Sequence, residues 1–220
     1  MTAPVERSRR LEELALALIL TVTVVALHGS RLLQMLWQEQ LGTSSNFTYY
    51  TVVALVFLGF GLILALPARR RSGLTLGRRP PSWWALAGLV VLPVVAVALV
   101  YPFLPERPFA LGSPEMWLIS PAAQEIWFLG VMYGRLDSAF PAYVHPRIPI
   151  RQALLLTAVF FSLAHLQGFF SILSAGFLVF QLMYTFAGCL VLGLSRQWTG
   201  SILYATMAHM AINYIAWSTQ

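Results

Sequence analysis

Apolar residues fall into seven long stretches, at about 14–30, 49–66, 83–104, 115–136, 152–166, 170–194 and 201–217, parted by short segments that hold most of the arginine. Most of these approach the ~20 residues that span a hydrocarbon core, so each predicts a membrane helix; the shorter ones need neighbouring helices or locally thinned lipid. The run 170–194 is long enough that its start is expected to form a re-entrant or interfacial turn, with Gly168 as the break. The first stretch does not read as a cleaved signal peptide. Its apolar run exceeds a usual h-region, and no small-residue cleavage site follows His28-Gly29-Ser30 before Arg31. Between Arg31 and Gln40, Leu32, Leu36 and Trp37 recur at helical spacing and predict a segment lying along the interface.

Composition removes the soluble alternative. Hydrophobic residues make up 58% of the 220 and charged ones 10%, against roughly a quarter charged in a soluble domain. Mean hydropathy is +0.72. The expected fold class is therefore all-α, a polytopic bundle of about seven spans with no sizeable soluble module. All 14 basic residues are arginine. With the N-terminus cytoplasmic, the inside segments hold Arg7, Arg9, Arg10, Arg69, Arg70, Arg71, Arg78, Arg79, Arg135, Arg147, Arg151 and Arg196, and the outside ones only Arg31 and Arg107. That asymmetry predicts an N-in, C-out protein. Loop 67–82 is rich in arginine and proline and is expected to meet anionic headgroups. Because the arginines cluster in loops rather than along one face, a nucleic-acid partner is not expected. Cys189 lies in an apolar run without metal-ligand spacing and reads as packing. An all-arginine, Ala/Leu-rich chain suggests a bacterial inner-membrane protein.

The informative residues are those that lipid should not tolerate, since a charge at mid-membrane costs roughly 2.5–3.5 kcal/mol on insertion scales. These are Glu125 with its neighbour Gln124, then His165, His209 and Asn213. Ser120-Pro121 reads as an N-cap and first helical position, which would set Glu125 just past the first turn, where the helix dipole favours a carboxylate. A start at Ser113-Pro114, with Pro121 as a kink, is the other option. Phe161 and His165 share a helix face at i, i+4, and so do His209 and Asn213. Each group alone has a plain reading as interhelical glue. Together, three helices each bring an acid–base or amide group, which favours one buried site.

The spacing of these motifs resembles the CPBP family of intramembrane proteases, which includes the type II CAAX prenyl proteases and the myxosortases. The family pattern is Glu-Glu-x-x-x-Arg-Gly, then Phe-x-x-x-His, then His-x-x-x-Asn. It aligns with Gln124-Glu125-Ile126-Trp127-Phe128-Leu129-Gly130, with Phe161 to His165, and with His209 to Asn213. The run Phe186 to Leu194, followed by Thr199-Gly200-Ser201-Ile202, also looks like the family's approach to its last motif. The likeness divides the chain into N-terminal spans and loops (1–114), a protease-like core (115–217) and a tail (218–220).

The resemblance implies an endopeptidase acting on a membrane-associated protein or peptide. A glutamate with His165 would activate water, while His209 and Asn213 would donate hydrogen bonds to the oxyanion. The catalytic set so implied is Glu125, His165, His209 and Asn213. No cofactor is expected: one carboxylate with scattered histidines makes a poor zinc set, and His-Glu-x-x-His is absent, although a divalent metal stays open. Two positions depart from the pattern. The first glutamate, usually given the water-activating role, is Gln124, and the family arginine is Leu129. Successive helical residues point about 100° apart, so Glu125 can replace the first glutamate only if the helix is rotated or distorted. The alternatives are a catalytically silent relative that binds a membrane partner, and a proton-coupled transporter using Glu125 and His165 as a relay.

Overall fold

The computed structural model describes residues 3–29, 35–36, 39, 46–100, 115–166 and 175–218. Three helices come first: α1 (Ala3–Gly29), α2 (Asn46–Ala65) and α3 (Trp83–Val100). A continuous helical run over 115–139, here α4, has four parts. Glu115–Ile119 is π-helical, Ser120–Glu125 α-helical, Ile126–Met132 again π-helical and Tyr133–Ala139 α-helical. A hairpin of β1 (Tyr143–His145) and β2 (Ile148–Arg151) leads into α5 (Gln152–Ala164), and α6 (Ala175–Thr199) and α7 (Leu203–Ser218) complete the described chain.

The seven predicted stretches thus all hold helices. Of these, Trp83–Val100 and Ala175–Thr199 are long and apolar enough to cross a membrane unaided, and the apolar parts Thr51–Ala65 and Gln152–Ala164 are shorter. The proposed break at Gly168 lies outside the described residues. So does most of the predicted interfacial segment 31–40, in which Met35 and Leu36 are helical and exposed.

Helix α4 is the centre of the bundle. It packs on α1, α2, α5 and α7, and every residue from Ile126 to Met132 is buried. A helix apolar on all sides belongs in such a position. Its neighbours turn large apolar side chains outward, among them Ile19, Phe60, Ile63, Leu92, Leu99 and Met183. An apolar outer belt around an apolar core suits acyl chains as solvent. The Trp127 indole donates to the Phe57 carbonyl of α2 at 2.6 Å, giving the one polar atom of that ring a partner in the interior.

The hairpin is the departure from an all-helical chain. Pro141, Pro146 and Pro149 exclude helix, while Tyr143, Val144 and Ile148 favour extended backbone. The strands pair antiparallel, Tyr143 with Arg151 and His145 with Ile148. Arg151 anchors them by hydrogen bonds to both Asp137 oxygens at 2.8 Å. Gln197 adds a second anchor, donating to the Pro149 carbonyl at 2.8 Å and accepting from the Arg151 amide at 3.1 Å. The Asp137 hydrogen bond raises the already high pKa of the Arg151 guanidinium, so this cation stays charged.

The loop after α2 seals the same end of the bundle. Ile202 N–H donates to Gly73 O (3.1 Å), Arg78 N–H to Thr199 O (2.6 Å) and the Ser201 hydroxyl to Thr75 O (2.5 Å). Two glycines permit this approach. Gly73 has φ +69°, and a Cβ there would lie 2.5 Å from Arg196 Nε; a Cβ on Gly134 would lie 2.6 Å from the Arg71 carbonyl oxygen.

Candidate functional site

Glu125 sits where the α-helical turn of α4 passes into the second π-helical segment. The helical run begins ahead of Ser120, so Ser120 is not an N-cap and the dipole argument for the carboxylate fails. Instead the Ser120 hydroxyl accepts a hydrogen bond from Gln124 Nε2 at 3.1 Å, and Pro121, which lacks an N–H, is accommodated beside the first π-helical segment. In the second one, the Tyr133 N–H reaches back to Phe128 O, the i→i−5 bond of a widened turn. The helix is therefore distorted on both sides of residues 120–125.

That distortion accompanies a definite choice between neighbours. Glu125, 3% exposed, directs Oε1 to Nδ1 of His209 on α7 at 2.7 Å. Its second oxygen, Oε2, is buried without a hydrogen-bond partner among the described residues. Gln124 faces another way. It borders a cleft of about 280 Å³ between α1, α2 and α4, lined by Val24, Ala54, Phe57, Ala123, Trp127 and Phe128. Its amide oxygen is buried there without a partner among the described residues.

Phe161 of α5 joins the two imidazoles. Its ring meets that of His165 edge-on at 4.8 Å between centroids and that of His209 at 6.1 Å, with Phe128 of α4 against it at 5.1 Å. His165 caps the C-terminus of α5 with φ −81° and ψ −1°. Its Nδ1 lies 2.8 Å from the Phe161 carbonyl oxygen. A carbonyl only accepts, so Nδ1 carries the proton and the lone pair of the neutral ring is on Nε2. Ser162 fixes this end of α5 by donating to the Leu182 carbonyl of α6 at 2.7 Å. Asn213 lies one turn beyond His209 on α7 and is half-buried. Glu125, His209 and, through Phe161, His165 thus form one cluster, with Asn213 on the same helix face as His209.

Arg196 is the residue whose place the sequence pattern did not reveal. It is 6% exposed, although the charge asymmetry assigned it only to the cytoplasmic end of a span. It donates to the Arg71 carbonyl and to the Leu129 carbonyl (3.3 Å), and its guanidinium lies over the Tyr133 ring at 5.5 Å. Leu129 stands at the arginine position of the motif, so the positive charge at this level of α4 comes from α6. The signal available was that Arg196 is the one charged residue in the 25-residue helix Ala175–Thr199. Among the described residues no three His, Cys, Asp or Glu side chains gather closely enough to hold a metal ion, so the donors of this cluster do not make a metal site.

A family model for type II CAAX prenyl endopeptidase Rce1-like proteins matches residues 81–215. The chain belongs to that family. The match takes in α3 through most of α7, and so includes all the polar groups of the cluster and begins well ahead of the motif helix. The family is one of membrane-embedded proteases, which makes the chain a membrane protein of a hydrolase family. No curated protein and no solved structure matches the chain at a significant level.

Proposed function

We propose that the protein is an intramembrane endopeptidase that hydrolyses a peptide bond in a membrane-associated protein, with Glu125 as general base. The observation that carries this is the buried Glu125–His209 hydrogen bond with the second carboxylate oxygen left over. With the pair as carboxylate and imidazolium, Oε2 takes a proton from water as the water oxygen attacks the peptide carbonyl. Nε2 of His165 accepts a hydrogen bond from the same water and orients it. His209, held through Nδ1, donates from Nε2–H to the oxyanion, and the Asn213 amide donates beside it. The proton on Glu125 then passes to the departing amine. Little water competes in such a place, which strengthens each of these bonds.

Depth supports the reading. Glu125 is ten residues from Arg135, about 15 Å along α4, and His209 is six residues from Leu203, about 9 Å along α7. Both therefore lie far inside a ~30 Å hydrocarbon core if the arginine-rich end is at its boundary. Because loop 66–82 packs across that end, substrate enters from the opposite, extracytoplasmic side of an N-in protein with seven crossings in a bacterial inner membrane.

The test is cleavage of membrane-anchored peptides by the purified protein in detergent. Activity should be lost in Glu125→Ala, His165→Ala and His209→Ala, and equal cleavage by Glu125→Ala removes the assigned base. A second reading, a silent relative that grips a membrane partner, is favoured by one observation: the position usually given the base holds Gln124, which borders the cleft. Tight binding of such peptides without turnover by the wild type decides for it.

A further inference from the structure

We propose that segment 66–84 is a docking surface for the anionic phospholipids of the adjoining leaflet. From Leu66 to Trp84 the chain has no Asp or Glu, and Arg69, Arg70, Arg71, Arg78 and Arg79 are all exposed. None of the five forms an ion pair among the described residues. Three other arginines do: Arg10 pairs with Glu6, Arg135 with Glu13 and Arg151 with Asp137. The five charges are thus the ones the protein leaves for an outside partner.

The frame beneath them is fixed. The backbone bonds at Gly73, Thr75 and Arg78, and the bond from Arg196 to the Arg71 carbonyl, tie the loop to residues 196–202. Binding therefore orders side chains rather than a whole loop, which lowers its entropic cost. The apolar members of the segment identify the partner. Leu76 is 86% exposed, Trp84 89% and Trp83 54%. Indoles beside arginines suit the boundary between headgroups and acyl chains, whereas a free anion or an acidic peptide would leave them in water.

The surface is independent of hydrolysis at Glu125 and is tested without it. The full chain, purified in detergent, is titrated with phosphatidylglycerol and with phosphatidylcholine, and bound lipid is counted by native mass spectrometry. An arginine near an anionic surface contributes about fivefold in affinity. Wild type should therefore prefer phosphatidylglycerol by roughly tenfold or more, and R69Q/R70Q/R71Q/R78Q/R79Q should lose that preference while the corresponding Arg→Lys chain keeps it. If the quintuple Gln chain does not fold, R69Q/R70Q carries the same comparison. Equal binding of the two lipids, or a preference undiminished in the Gln variants, overturns the proposal. So does full displacement of the lipid by millimolar inorganic phosphate, which would mark a free-anion site, or by an acidic peptide, which would mark a protein partner.

Discussion

Replacing Glu125 with glutamine separates the chemistry of the site from its architecture. The new side chain has the same shape, and its amide oxygen can still accept from His209 Nδ1 across the 2.7 Å gap between α4 and α7. What disappears is the negative charge and the proton-accepting second oxygen. A charge-assisted hydrogen bond becomes a neutral one, which costs about 1–3 kcal/mol of folding stability in a buried site. Loss of a general base slows the reaction roughly 10²–10⁴-fold, or about 2.7–5.4 kcal/mol in the barrier. The assay is turnover of a membrane-anchored peptide by wild type and Glu125→Gln at matched detergent composition, with thermal unfolding of each followed by tryptophan fluorescence. A variant that melts a few degrees lower yet cleaves within tenfold of wild type would refute the assignment of Glu125 as base, whatever its contact with His209.

Gln124→Glu should give no rate gain and should destabilise by about 3 kcal/mol, because it sets an unpaired carboxylate in an apolar cleft; a large gain in turnover would reverse the roles of the two neighbours. Gly134→Ala should cost roughly 1–3 kcal/mol in thermal unfolding, since its Cβ meets a backbone oxygen at 2.6 Å, and an unchanged melting point would show that the loop yields. Arg196→Ala should destabilise by about 1–3 kcal/mol by withdrawing the guanidinium from the Arg71 and Leu129 carbonyls, measured in the same way. With the N-in topology, Leu166→Cys, beside His165, should react with a membrane-impermeant maleimide in intact cells; labelling only after access to the cytoplasmic side would reverse the orientation.

Much of this fold is written in plain apolar runs, and the candidate polar groups stand out because each is costly in lipid. What the runs hide is rotation. Ile126-Trp127-Phe128-Leu129-Gly130-Val131-Met132 is apolar on every face, so no stripe marks the register and nothing in it distinguishes a π turn from an α turn. Yet that register accompanies the placing of Glu125, rather than Gln124, against His209. The hairpin was concealed for a different reason. Its prolines mark a break, but strand pairing there depends on Asp137 and Gln197, which are distant in sequence from part of what they hold. Arg196 was legible as a charge and not as a brace, because its partners are backbone carbonyls that carry no sequence signature.

The widened turns on either side of Ser120–Glu125 carry a lesson for how such a site can change. A helix that holds surplus residues in its coils can lose one by deletion and tighten into ordinary α spacing without being cut. Every side chain between the excision and the next fixed contact would then swing by about 100°. In this protein a single missing codon within 126–132, rather than any exchange of one amino acid for another, is the smallest lesion that would re-aim the acid relative to Tyr133 and Arg135 while leaving the chemistry of every side chain intact.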